Sequence, residues 1–379
     1  MEFLSVNPIT AQDSARLALR VDAHQFFQDN EFFGLHAEGY TLPGFVLRPV
    51  VEWTVEEGVM KGGRGRWKAV LEAGAHWLHF WGARRYPSAQ GLEVWPCESD
   101  TATAAHVLPW VRAEVVWRVE SGTWRATMGD LHEHRLPLPL YNPERLYAAD
   151  PEAGVQLTMD TKHFGLDVWV DWREYIWRRS SRQERFTAGL SGEWRTQSGK
   201  WGLRVPLHVV GQHIGGQGLA VATPVQNHFN GAAGLLGEWK AEGGKWTVTA
   251  GGYAMGYTQK NAPDIPFRRG WGFYPVVSCE FRAKSNELRL DAGYWHSRGF
   301  VPLLGSVLFS NVAYVDGITY FGRNRMVNAG IRYTWHSRLT AVSVEGRWYR
   351  YFEKEHPSQY TVGVFIDMKP RMTVMSFEL

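Results

Sequence analysis

The densest cluster of chemically capable side chains in this sequence is Asp130-Leu-His132-Glu133-His134. On an extended strand Asp130, His132 and His134 share one side, which is the geometry of a partial metal site. No obvious fourth ligand accompanies them, so the run reads as the polar rim of a strand and no metal is assigned. Two neighbours, His296-Ser297 and His336-Ser337, carry the residue types of an ester hydrolase that pairs a nucleophile with its base. Adjacent residues of a strand point to opposite faces, so neither pair can hydrogen-bond within itself. The glycine-rich stretch from Gly215 to Gly218 lacks the strand and helix that flank a phosphate loop. These residues predict no enzyme, no catalytic residue and no cofactor.

The elements that would position such groups are strands, because polar and apolar residues alternate with a period of two from end to end. Leu47, Pro49, Val51, Trp53 and Val55 share one face, against Arg48, Glu52 and Glu56 on the other. Val111, Ala113, Val115 and Trp117 oppose Arg112, Glu114 and Arg118, and Val327, Ala329, Ile331, Tyr333 and Trp335 oppose Asn328, Arg332 and Thr334. One face is oily and the other wet. The wet face collects Lys68, Glu72, Arg112, Glu114, Arg118, Arg125, Asp167, Asp171, Arg173, Glu193, Arg195, Arg204, Glu280, Arg282, Arg289, Asp291, Arg332, Glu345 and Arg347, which are expected to line a polar lumen or to pair across strands.

Composition agrees with a wall that shows one face to lipid and one to water. Aromatic residues make up 14% and charged residues still 21%, with negative mean hydropathy. Basic and acidic residues are interspersed, so no nucleic-acid footprint is expected. No apolar run of about eighteen residues exists, which excludes an ordinary transmembrane helix and leaves strands as the means of crossing. Cys97 and Cys279 are expected in a loop and on a strand, with little support for a disulfide. Residues 1–13 read as a tail or the remnant of a secretory signal, and 14–379 as a single barrel.

Short turns rich in Gly, Ser and Lys alternate with long connections, the layout of outer-membrane barrels with the short side in the periplasm. Next to the short turns stand Trp117 and Trp124, Trp194 and Trp201, and Trp239 and Trp246, each pair with the same spacing, with Trp53, Trp67 and Trp335 near others. The spacing predicts rings side by side on the lipid face, an aromatic girdle at the membrane interface. The expected fold is all-β: a transmembrane antiparallel up-and-down barrel of about sixteen strands in the bacterial outer membrane, in contact with its lipid. The expected function is a porin-like channel for small polar solutes. The alternative is a structural or docking subunit of a larger assembly, its lumen plugged. The proline-stiffened, apolar loop from Arg135 to Ala153 is expected to fold into the lumen, the alternatives being that it packs over the rim or docks a partner protein. Oligomeric state and protein partners are not written in the sequence.

At Gln28-Asp-Asn-Glu-Phe-Phe-Gly34, Leu138-Pro-Leu-Tyr-Asn-Pro-Glu144 and Gly165-Leu-Asp-Val-Trp-Val-Asp-Trp172 the chain resembles uncharacterised porin-like outer-membrane β-barrel proteins of Bacteroidota-type bacteria. The resemblance implies a fold and a location, and brings no catalytic residues with it.

Overall fold

The structure, a computed structural model, describes residues 14–34, 36–57, 65–82, 106–179, 181, 183–216, 224–262, 265–313, 318–352 and 358–378. Cys97 and the expected signal remnant lie outside the described residues. The chain forms β1 (Ser14–Glu31), β2 (Tyr40–Glu57), β3 (Arg66–Phe80), β4 (His106–Val119), β5 (Gly122–Asp130), β6 (Ala153–Thr161), β7 (Phe164–Glu174), β8 (Glu184–Ser198), β9 (Trp201–Gly215), β10 (Gln226–Lys240), β11 (Trp246–Lys260), β12 (Arg269–Ala283) and β13 (Asn286–Arg298). A small hairpin of β14 (Val312–Ala313) and β15 (Thr319–Tyr320) follows, then β16 (Asn324–His336), β17 (Thr340–Tyr351), β18 (Ser358–Met368) and β19 (Arg371–Glu378).

Each barrel strand pairs antiparallel with the next, and β1 closes the sheet by pairing with both β18 and β19. Ala23 faces Met368 and Arg20 faces Arg371, so β18 and β19 are one wall strand interrupted at Lys369-Pro370. Proline has no N–H to give to a ladder, and here its carbonyl accepts from Val21 N at 3.0 Å. Counted this way the barrel is closed with 16 strands, as the alternation predicts. Closure removes both sheet edges, which a membrane requires because lipid offers no hydrogen bonds.

The outward face is apolar: Trp53, Leu71, Val111, Leu207, Leu235 and Ile331 are all exposed. Of the tryptophans beside the turns, Trp67 faces Trp117 and Trp117 faces Trp124 across the ladder, and Trp201 faces Trp239. The expected side-by-side pairing fails at the next hairpin, where Trp194 faces Val205 and Trp201 faces Ser198. Its turn at Gly199-Lys200 sets the register two residues later than the tryptophan spacing requires. Trp239 likewise faces Val248 and not Trp246, for the same reason of turn length, while on its other side Trp246 faces Phe281.

The inner face departs from the alternating picture in its upper half, towards the long loops. Trp295, Tyr274, Met255, Met326, Tyr349 and Tyr351 point inward and are buried with Phe300, Leu308 and Phe309 of the connection after β13. That connection is held by Asn311, whose Oδ1 accepts from Ser297 Oγ at 2.8 Å and Phe300 N at 3.0 Å. Trp295 Nε1 donates to Phe309 O at 3.0 Å. A face that is wet near the short turns is thus an apolar core near the long loops, because two connections fold inward and bring their own apolar residues.

Candidate functional site

The first inward connection leaves β5 at Asp130 and returns at β6, its ends joined by Leu131 N to Glu152 O at 2.8 Å. Prolines at 137, 139 and 143 stiffen it, and it carries one short helix, α1 (Arg145–Ala148). Leu140, Tyr141, Tyr147 and Ala148 are buried inside the barrel, as the apolar and proline-rich sequence predicts. The loop crosses to the second inward connection, where Tyr141 bridges Leu304 and Asn142 N donates to Leu304 O at 2.8 Å.

Glu144 begins this helical turn and is pressed against the inner wall at the loop ends of β1 and β2. Its Oε2 accepts from Gln28 Nε2 at 2.8 Å and from Tyr40 Oη at 2.8 Å. Gln28 Nε2 also lies 3.0 Å from Asn30 Oδ1, which accepts from Thr361 Oγ1 at 2.8 Å. Tyr147 donates to Gln28 Oε1. Burial raises the Glu144 carboxyl to about 7 against the pull of its donors. A buried carboxyl that titrates near neutrality at the edge of a cavity fits general acid and base work. The cavity has a volume of about 810 Å³ and is lined by Gln28, Asn30, Tyr40, Glu144 and Tyr147 at this end, and by Arg20, Arg112, Arg332 and Arg347 further in.

The second fixed point of the loop is His134. Its Nε2 lies 2.6 Å from Glu152 and its Nδ1 3.1 Å from Asp167 of β7, and its ring stacks on Trp169 at 3.9 Å. The two carboxylates raise His134 to about 9, and His134 with Arg145 and Arg173 lowers Glu152 to about 2, in each case against the opposing effect of burial. Trp169 can lie there because its register partner on β8 is Gly189, where a Cβ would stand 2.2 Å from the ring. The expected strand through Asp130, His132 and His134 ends at Asp130. Beyond it the three side chains go to separate partners: Asp130 to Arg112, His132 to Glu114 at 2.6 Å, and His134 to its clamp.

Most of the charged residues singled out by alternation are paired. Asp291 takes both arms of Arg347 at 2.7 and 3.0 Å, Arg204 reaches Glu193 at 2.6 Å, and Arg125 reaches Glu114 at 3.2 Å. Arg332 meets Glu345 at 3.4 Å, Arg282 meets Glu280 at 3.1 Å with Arg289 at 4.0 Å, and Lys68 meets Glu56 at 3.7 Å. Arg173 joins Asp171 and Arg195 joins Asp160, while Glu72 holds Arg20 at 2.5 Å and Arg112 at 3.7 Å. Arg118 has no ion pair among the described residues. Gln28, Asn30, Tyr40 and Glu144 escaped the charge pattern because three are uncharged and the fourth sits in a loop. Yet the first two stretches that carry the family resemblance meet at Gln28 and Glu144, and the third supplies Asp167 and Trp169 to the His134 clamp. In the two His-Ser pairs, the Ser297 hydroxyl is buried on Asn311, and Ser337 Oγ accepts from Thr340 N in a short turn.

Among solved structures the fold is similar to a loop L8 deletion mutant of OmpT, an outer-membrane protein of Vibrio cholerae. The TM-score is 0.51 at 8% identity, over 94% of this chain and 99% of that one. It is also similar to an anion-selective porin from Comamonas acidovorans, with a TM-score of 0.44 at 10% identity over 95% and 100% of the two chains. At such identities the likeness concerns the fold, a barrel of the outer membrane. No curated protein sequence matches the chain. A family model described as lipid A 3'-O-deacylase-type matches residues 9–377. This overturns the expectation of a barrel that is not an enzyme, which rested on the lack of an adjacent His-Ser pair able to hydrogen-bond within itself. The match spans nearly the whole chain, and the chain belongs to the lipid A 3'-O-deacylase-type family.

Proposed function

We propose that this barrel hydrolyses an ester-linked acyl chain of an outer-leaflet glycolipid of the lipid A class, with Glu144 as general base. The observation that carries the reading is the buried Glu144 carboxyl, held by Tyr40 and Gln28 at the wall of the cavity and titrating near 7. In its charged form Glu144 takes a proton from water as the oxygen attacks the ester carbonyl. Charge then gathers on the carbonyl oxygen, which the amide nitrogen of Asn30, buried on the wall and without a hydrogen-bond partner among the described residues, can meet. Collapse expels the sugar alkoxide, which takes the proton back from Glu144, leaving a free fatty acid and a sugar hydroxyl. Tyr40 orients the carboxylate throughout. The test is mass spectrometry of acylated lipid A incubated with the purified barrel: loss of one ester-linked chain supports the reading, and an unchanged lipid refutes it.

Passage of small polar solutes is a second reading, favoured by the 810 Å³ cavity with Arg112, Arg332 and Arg347 on its lining. The contact of Tyr141 with Leu304 across the lumen makes a wide open pore the less favoured form. Conductance across a planar bilayer tests it.

A further inference from the structure

The connection between β7 and β8 stands on the long-loop rim, which in outer-membrane barrels is the outer side. It presents Tyr175 and Trp177, which are 66% and 74% exposed and meet edge to face at 5.3 Å. Rings this open are not explained by packing within the chain. Arg178 and Arg179 follow directly, both exposed, and neither has an ion pair among the described residues. The carboxylate nearest in sequence, Glu174, is the register partner of Arg185. Arg179 has φ +66°, a left-handed conformation that costs a residue with a side chain and persists where surroundings or function require it. Directly beneath, on the outward surface, Trp172 stacks on Phe186 at 5.0 Å and Phe186 on His213 at 4.9 Å. This ladder is an aromatic platform just below the long-loop rim, where interfacial aromatics of membrane proteins gather.

We infer that Tyr175, Trp177, Arg178 and Arg179 form a docking site for the phosphorylated sugar headgroup of an outer-leaflet glycolipid. Two adjacent guanidinium forks match phosphate oxygens, and the exposed rings offer flat apolar faces to sugar rings. An aromatic belt alone would need no arginines, and a solvated charge run would need no exposed Trp beside it. The site is separate from Glu144 and does not depend on catalysis.

The test uses the full chain in detergent micelles with bisphosphorylated lipid A as probe, and binding read by native mass spectrometry. Wild-type barrel binds the probe, and the double variant Arg178→Ala, Arg179→Ala binds it about tenfold more weakly, the scale of a lost charged hydrogen bond. Trp177→Ala weakens binding as well, while heat-modifiable gel migration shows that each variant is folded. Enzymatically dephosphorylated lipid A binds wild type no better than the double variant does. Equal binding by wild type and double variant, or no dependence on phosphate, overturns the inference. Displacement of the probe by millimolar inorganic phosphate overturns the headgroup assignment in favour of a free-anion site. Binding is read without turnover, so a barrel that binds the probe but leaves it acylated refutes the proposed hydrolysis and leaves this site standing.

Discussion

The hydroxyl of Tyr40 on the barrel wall donates to the carboxylate of Glu144 on the inward loop at 2.8 Å, joining residues 104 positions apart. Wall and loop meet at a carboxyl with an exchangeable proton, and the hydrolysis proposed for the barrel turns on how that proton is held.

Glu144→Gln keeps the size and one hydrogen-bond acceptor but cannot take a proton. We expect hydrolysis to fall by a factor of about 10² or more, the usual contribution of a general base. In the wild type activity should rise with pH through about 7 as the carboxylate forms. Any residual activity of Glu144→Gln should lack that limb. The sign is opposite for stability: the folded carboxyl titrates above its ordinary 4.5, so its burial costs nothing below that value and most above about 7. Denaturation midpoints should therefore be higher for Glu144→Gln than for wild type at pH 8 and similar at pH 4.

His134→Ala leaves Asp167 buried without its cation, while Glu152 keeps Arg145 and Arg173. Breaking a buried charge pair this way costs about 3–5 kcal/mol, and here the cost falls on the loop. Trypsin should cut after Arg135 and Arg145 in the variant at pH 7 while sparing the wild type. His134 is raised from 6.5 to about 9, so its contribution is complete below 6.5 and is lost as pH climbs through about 9. Wild-type loop should accordingly become cleavable at pH 9.5.

Gly189→Val tests the seat of the clamp from the other side. A branched side chain at that position meets the Trp169 ring, which must leave its stack on His134. The variant should show the loop cleavage of His134→Ala, with both histidine partners still present.

Arg347→Ala should lower the temperature of the heat-modifiable gel shift, because Asp291 is left uncompensated among half-buried neighbours. Arg347→Met with Asp291→Leu should recover most of the loss. If the single and double variants melt alike, the pair is not what holds this part of the wall.

The barrel was legible in the sequence because lipid and water impose opposite demands on alternate residues, so Trp53, Leu71 and Val111 announce one face and Glu52, Glu72 and Arg112 the other. Register was less legible. Trp117 and Trp124 face each other, but Trp194 and Trp201 do not, since a turn's conformation decides which residues oppose. The inward burial of Trp295, Tyr274 and Tyr351 was hidden for a different reason: parity gives the side of a residue, while its surroundings depend on where the connection through Phe300, Leu308 and Phe309 goes. The site followed the same rule. The inward turn of the Pro137 to Pro143 stretch was readable from its stiffness and apolar residues, but the wall residues that Glu144 would meet were not.

Acyl-chain analysis of lipid A, exposed in parallel to wild-type and Glu144→Gln barrels shown folded by heat-modifiable migration, tests the central claim most directly. The account predicts that the wild type releases one ester-linked fatty acid and the variant almost none. Lipid A left fully acylated by folded wild-type protein, or cleaved equally well by the variant, would contradict it.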